Sequence, residues 1–137
     1  MLSCNELTHE IIGASIEVHR LLGPGLLESA YEERLAHELG LRNLTYRRQV
    51  PVPVAYKGIK LECGYRIDVV VEEMAVLELK SIESIAPVHE ATVLTYLRLS
   101  GKTIGLLINF NVAILKDGVR RFVLQHPSEQ KELRRVR

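Results

Sequence analysis

Apolar positions recur along this chain with two periods. Leu7, Ile11, Ala14, Val18 and Leu21 repeat at close to helical spacing, behind a Ser3-x-x-Glu6 capping box. Gly23-Pro24-Gly25 breaks this first helix, and a second is predicted from about Leu27 to Leu39, with Gly40 as its stop. Leu44 to Tyr56 is rich in β-branched and aromatic residues, and Pro51 and Pro53 mark it as an edge or irregular strand. Tyr65–Val71 and Ala75–Lys80 read as strands joined at Glu72-Glu73. Pro87 opens a third helix through Leu99, closed by Gly101. Thr103–Asn109 reads as a buried strand. Val119–Leu124 is a last strand, entered through Lys116-Asp117-Gly118, and a polar tail begins at about 125.

The order α, α, β, β, β, α, β, β predicts an α/β fold, a mixed central sheet flanked by helices. No repeat or linker interrupts it, so residues 1–137 are expected to form a single domain.

Composition narrows the function classes. The chain is 47% hydrophobic and 26% charged, ordinary globular usage. It has no apolar run of membrane-spanning length, and its first residues resemble no signal peptide. Cys4 and Cys63 are far apart, without metal-thiolate spacing, so a reducing, cytoplasmic setting is expected. Absence of Trp and an aromatic share of 5% make poor material for stacking bases.

The net charge of +1 excludes a chain-wide basic field, but it conceals segregation. Residues 40–61 hold Arg42, Arg47, Arg48, Lys57 and Lys60 and no acid. Residues 62–90 carry seven acids against Arg66 and Lys80, and residues 98–121 are again basic. Such blocks fit either solvated faces or a cation site between surfaces that grip phosphate.

Within the acidic block, Asp68 lies inside Ile67-Asp68-Val69-Val70-Val71, and Glu78 and Lys80 lie inside Val76-Leu77-Glu78-Leu79-Lys80. A two-residue loop at Glu72-Glu73 sets Asp68 opposite Leu77. A three-residue loop, Glu72-Glu73-Met74, sets it opposite Glu78, with Cβ atoms about 4.5–5.5 Å apart. Two carboxylates that close need a cation or a shared proton. Lys80 supplies one charge, and carboxylate oxygens suit Mg²⁺ or Mn²⁺; alternatively Glu78 and Lys80 pair on a solvent-facing sheet. Glu28, spaced three and seven residues before Tyr31 and Leu35, is expected on the inward face of the second helix, or else is a first-turn acid favoured by the helix dipole.

Gly25-Leu26-Leu27-Glu28-Ser29-Ala30-Tyr31 spells GxxExxY. Together with Tyr65-Arg66-Ile67-Asp68, Leu77-Glu78-Leu79-Lys80, Pro87-Val88-His89-Glu90-Ala91, Tyr96-Leu97-Arg98 and Leu106-Leu107-Ile108-Asn109-Phe110, it makes the chain resemble the bacterial GxxExxY family, a branch of the PD-(D/E)XK nuclease superfamily. The resemblance runs from about Asn5 to Leu124. It implies a PD-(D/E)XK nuclease-like α-β-β-β-α-β core and a metal-dependent nuclease hydrolysing DNA phosphodiester bonds. It further implies that Asp68, Glu78 and the Leu79 carbonyl ligate Mg²⁺ or Mn²⁺. Glu28 would be a further ligand or hold a metal-bound water, and Lys80 would be catalytic, orienting the attacking water.

Related nucleases carry QxxxY on the helix after the ExK strand; here Thr92 stands in place of Gln, and Tyr96 is kept. Tyr31, Thr92 and Tyr96 are expected to line the site, and His89 either lines it or caps its helix. The competing reading is a non-catalytic protein that binds nucleic acid or a partner on a nuclease-like fold. A chain this short offers little surface for wrapping a duplex, which makes a homo-oligomer an expectation.

Overall fold

The computed structural model describes residues 2–62 and 64–126. Cys63 and most of the tail expected from about 125 lie outside them.

The first helix, α1 (Cys4–Leu22), begins as its capping box dictates: the Ser3 hydroxyl accepts from the Glu6 N–H at 3.1 Å. Gly23 ends it at φ 70°, where a side chain would be strained. Leu7, Ile11, Ala14 and Val18 are buried, but Leu21, expected on the same stripe, is 68% exposed because the helix outruns the surface it packs on.

The second helix, α2 (Glu28–Leu41), runs past the predicted stop. Gly40 stays helical, and the left-handed residue is Asn43 (φ 61°), the residue type next best suited to it.

The predicted strand over 44–56 is two strands in different sheets. β1 (Tyr46–Pro51) ends where Pro51 and Pro53 remove backbone donors, and between them a buried Val52 donates to the Tyr65 carbonyl at 2.9 Å. β2 (Val54–Tyr56) then pairs with β3 (Ile59–Leu61) around Lys57-Gly58, both at positive φ, as a two-residue hairpin turn requires. Strands of three residues are too short to show alternation, so β3 escaped the sequence pattern.

β4 (Arg66–Val71), β5 (Ala75–Lys80), α3 (Pro87–Ser100), β6 (Ile104–Asn109) and β7 (Val119–Val123) fall within a residue of expectation. A 3₁₀ turn (Leu115–Gly118) precedes β7.

The main sheet has the order β1-β4-β5-β6-β7. Among the described residues only the β5–β6 pair is parallel, crossed over by α3, and β6 is buried throughout. Helices α1 and α2 cover one face, where Leu7, Ile11, Leu35 and Leu39 meet Val69, Val71, Leu77, Leu79, Leu106 and Ile108. Helix α3 covers the other through Val93, Tyr96 and Leu97, packed on Val70, Val76 and Leu107. It lies so close that a Cβ on Gly105 would come within 2.7 Å of the Val93 side chain. Among the described residues, α2-β1-β4-β5-α3-β6 reproduces the expected α-β-β-β-α-β core, with the β2–β3 hairpin inserted and a mixed sheet between helices. No described helix is long and apolar enough to cross a membrane.

Candidate functional site

The loop between β4 and β5 decides the register. Val71 pairs with Ala75 and Val69 with Leu77, so the loop is Glu72-Glu73-Met74 and Asp68 comes to face Glu78. Glu72 and Glu73 hold left-handed backbone at φ 53° and 52°, unusual for acids. Neighbours hold them there. The Glu72 carboxylate accepts from the Thr45 N–H and hydroxyl, each at 2.6 Å, and Glu73 takes two 2.7 Å bonds from the Arg47 guanidinium. These donors keep both carboxyls below their ordinary pKa.

The β4–β5 ladder ends at Val69 and Leu77. Beyond it, carboxylates take the place of backbone carbonyls: the Leu79 N–H donates to Asp68 Oδ2 at 2.8 Å, and the Asp68 N–H to Glu78 Oε1 at 3.3 Å. Alternation puts Glu78 and Lys80 on the α3 side of the sheet, since Leu77 and Leu79 pack against α1 and α2 and Val76 against α3. Glu78 is buried, and Asp68 and Lys80 are half-buried.

Burial raises the Asp68 carboxyl pKa, and the Glu32 charge adds to this against the Leu79 N–H, Lys80 and Gln49. Burial and then the Asp68 charge push Glu78 to about 8, with Glu28 adding to the rise and Lys80 opposing it. Without a cation, one of the two carboxyls keeps a proton at neutral pH. The Lys80 ammonium makes no hydrogen bond or ion pair with a described residue, so it remains available to a ligand.

Glu28 reaches this end of the sheet by a different route from the one expected. It is exposed in the first turn of α2 rather than on the buried face, and its Oε2 accepts from the Ser81 N–H at 3.4 Å. The GxxExxY residues build this placement. Gly25 takes φ 94°, and Tyr31 Oη donates to the Gly23 carbonyl at 2.6 Å and accepts from the Leu26 N–H. The turn then offers the Leu26 carbonyl to the Ser81 hydroxyl at 2.6 Å. Tyr31 itself is fully buried and stacked on Phe110 with ring centres 4.4 Å apart, so it holds the turn and does not line the site.

The two uncertain positions on α3 are likewise occupied by the helix. His89 Nδ1 accepts from the Ala86 N–H at 2.9 Å, which makes His89 a cap. The Thr92 hydroxyl donates to the Val88 carbonyl at 2.9 Å and offers nothing to Lys80. Tyr96 packs on Val70 and Val76, and burial first, then the Glu78 and Asp68 charges, raise its hydroxyl pKa.

Three residues escaped the sequence reading. Glu32, one turn after Glu28, is the acid that α2 buries, paired with Arg48 at 2.9 Å. Gln49 sits at φ 51° in the middle of β1, between the Arg48–Val69 and Val50–Ile67 pairs, and its amide donates to Glu32 at 2.7 Å and to Asp68 at 3.4 Å. Strained backbone of this kind persists only where its surroundings impose it. Asn109, also buried, pins the Ile82 backbone just beyond Lys80 through two bonds. The helical spacing of Glu32 from Glu28 was a usable signal; nothing local marked Gln49 or Asn109. Because Gln49 donates to the charged form of Asp68, Gln49→Ala is expected to raise the Asp68 pKa further. Carboxyl ¹³C NMR titration reads this directly, and an unmoved midpoint would show that the amide is elsewhere in solution.

Among the described residues no three His, Cys, Asp or Glu side chains gather tightly enough to hold an ion. Asp68 and Glu78 are two, and their raised pKa values are what a shared cation would relieve. This fits a cation that takes one or two carboxylates and completes its shell with water, carbonyl or phosphate oxygen, as Mg²⁺ does, and not a closed protein cage.

A model of the PD-(D/E)XK nuclease superfamily matches residues 5–122. No curated protein and no solved structure matches the chain.

Proposed function

From the premise that this chain belongs to the PD-(D/E)XK nuclease superfamily, we propose that it is a metal-dependent nuclease that hydrolyses DNA phosphodiester bonds. Its Gly25–Tyr31 turn supports a place in the GxxExxY branch. The observation that carries the reading is the pairing of Asp68 with Glu78 where β4 and β5 part, with an uncommitted Lys80 beside them. A carboxylate pair with one member buried, the other half-buried and both pKa values raised is costly to fold, and a binding task that needs no cation gives no reason to keep it.

Asp68 and Glu78 would hold Mg²⁺ or Mn²⁺, with the Leu79 carbonyl adjoining and Glu28 at the rim. Such a cation supplies Lewis acidity and a more acidic bound water. The protein's own part is positional. Lys80 would place its ammonium against the scissile phosphate and orient the attacking water, and its charge would offset the negative charge that grows in the transition state. Leu79 N–H and Gln49 hold the two Asp68 oxygens in place. Glu28, tied to Ser81, would orient water at the open side.

One observation favours a non-catalytic, nucleic-acid-binding protein instead: the Thr92 hydroxyl is spent on its own helix. A digest separates the two. Labelled single-stranded, double-stranded and branched DNA is incubated with protein and Mg²⁺ or Mn²⁺, then with the metal removed by EDTA. Cleavage that appears with metal and stops on chelation is the expected result. Intact DNA under every metal condition would leave the binding reading standing.

A further inference from the structure

A cleft of about 630 Å³ opens along α3, lined by Val54 of the small hairpin, Tyr65 and, on the helix, Val88, Thr92, Thr95, Tyr96 and Arg98 among others. Three features set it apart from the other hollows of the surface. It adjoins the carboxylate site: Tyr96, which lines it, packs on Val70 and Val76, each two residues along its strand from Asp68 and Glu78 and on the same sheet face. No acid lines it, whereas the cleft beside α1 carries Glu6 and Glu10. Its rim holds an exposed Tyr65, 51% accessible, and an exposed Arg98 that pairs with no described residue.

We propose that this cleft receives an unpaired base of the DNA strand being cut, so that the substrate is single-stranded DNA or a duplex with a single-stranded end or flap. The inference rests on the nuclease reading and extends it to substrate class. A strand whose phosphate lies at Asp68, Glu78 and Lys80 has the α3 cleft open to it past Tyr96. There its next base meets an apolar floor with a tyrosine face at the rim, and its next phosphate meets Arg98. A volume in the range that takes small ligands fits a base or two. A base inside an intact duplex enters only after unstacking and unpairing, which an end or a flap has already done. Composition argued against base stacking, since aromatics are 5% of the chain. Placement overrides that count: three of the five tyrosines, Tyr46, Tyr56 and Tyr65, are exposed, and Tyr65 stands at the mouth of this cleft.

The test is fluorescence anisotropy in EDTA at low salt, using a labelled 15-nucleotide single strand and a blunt hairpin duplex of matching sequence. The wild type is expected to bind the single strand at least about tenfold more tightly. Tyr65→Ala should remove most of that preference, about a tenfold loss confined to the single strand, while Tyr65→Phe keeps it because the stacking face survives. Arg98→Ala should weaken both ligands and lower the salt slope by about one. Circular dichroism of Tyr65→Ala, which loses a half-exposed ring, should match the wild type. Equal affinity for the two ligands, or a Tyr65→Ala protein that keeps the preference, overturns the proposal. Parallel Mg²⁺ digests keep the two readings apart. A wild type that cuts DNA while Tyr65→Ala keeps the preference defeats the cleft and leaves the nuclease. A wild type that cuts nothing but binds single strands through Tyr65 defeats the nuclease and supports the cleft as a binding site.

Discussion

Asp68→Ala is expected to abolish divalent-cation binding and, with it, DNA cleavage. Lys80→Ala should spare cation binding and still lower the cleavage rate by about 10²–10³-fold, the usual cost of losing one preorganised charge-stabilising donor. The contrast follows from the geometry. Asp68 sits between the Leu79 N–H and the Gln49 amide, facing Glu78, so its loss leaves one carboxylate where the proposed cation needs two. Lys80 makes no hydrogen bond or ion pair with a described residue, so removing its ammonium costs the carboxyls only a charge that opposes their raised pKa values, and the larger change falls on the reaction. Calorimetric titration with Mn²⁺ and single-turnover cleavage, run on the same preparations, separate the two. A Lys80→Ala protein that cuts at the wild-type rate would remove Lys80 from the mechanism. An Asp68→Ala protein that binds Mn²⁺ as before would move the cation elsewhere.

Metal-free protein should lose stability as the solution becomes alkaline. Glu78 titrates near 8 in the folded chain, against an ordinary value of about 4.5, because it is buried beside Asp68. The folded state therefore keeps a proton that the unfolded chain gives up. The resulting stabilisation is complete below pH 4.5 and is lost as the pH rises through about 8. Asp68 shifts in the same direction. Glu72 and Glu73 shift downward, so their effect falls below pH 4.5, outside this window. Each pKa unit is worth about 1.4 kcal/mol, so a fall of roughly 2–4 kcal/mol between pH 5 and 9 is expected once the coupling of the two carboxyls is allowed for. Urea denaturation in EDTA across that range measures it. Glu78→Gln should flatten the curve and be the more stable protein at pH 9. Added Mn²⁺ at pH 8 should restore stability to the wild type and not to Asp68→Ala, since a ligand that binds only the folded state stabilises it. A level stability profile would mean that Glu78 ionises normally.

Much of the site's neighbourhood is legible in the sequence. Glu78 and Lys80 alternate with Leu77 and Leu79, and an inward-facing Asp68 interrupts an apolar run; both are visible in a few consecutive residues. Glu28 illustrates the limit. Its spacing from Tyr31 and Leu35 pointed inward, yet the first turn of a helix projects past the sheet, so Glu28 stays exposed and Glu32, one turn later, is buried. The α3 positions show the same limit, because a polar side chain near its own helix finds a backbone partner before it finds the site: His89 caps α3 and Thr92 bonds to Val88.

The sequence by itself determined the kinds of elements and nearly all their bounds. Ser3, Gly23, Pro87 and Gly101 cap helices through interactions a few residues long, and β5 was placed to the residue by local alternation. It also determined that two acids and a lysine would interrupt adjacent strands. Only the tertiary structure decided that the acids meet. Two registers were open, one residue apart, and the choice rests on Thr45 and Arg47 holding Glu72 and Glu73 in left-handed backbone, contacts spanning 26 and 27 residues. Gln49 reaches Asp68 across 19 residues and Glu28 reaches Ser81 across 53. Periodicity and capping are properties of neighbours in the chain and can be read along it. Register and burial depend on which distant groups satisfy one another's hydrogen bonds and charges, and that is settled only when the sheet and its helices close around them.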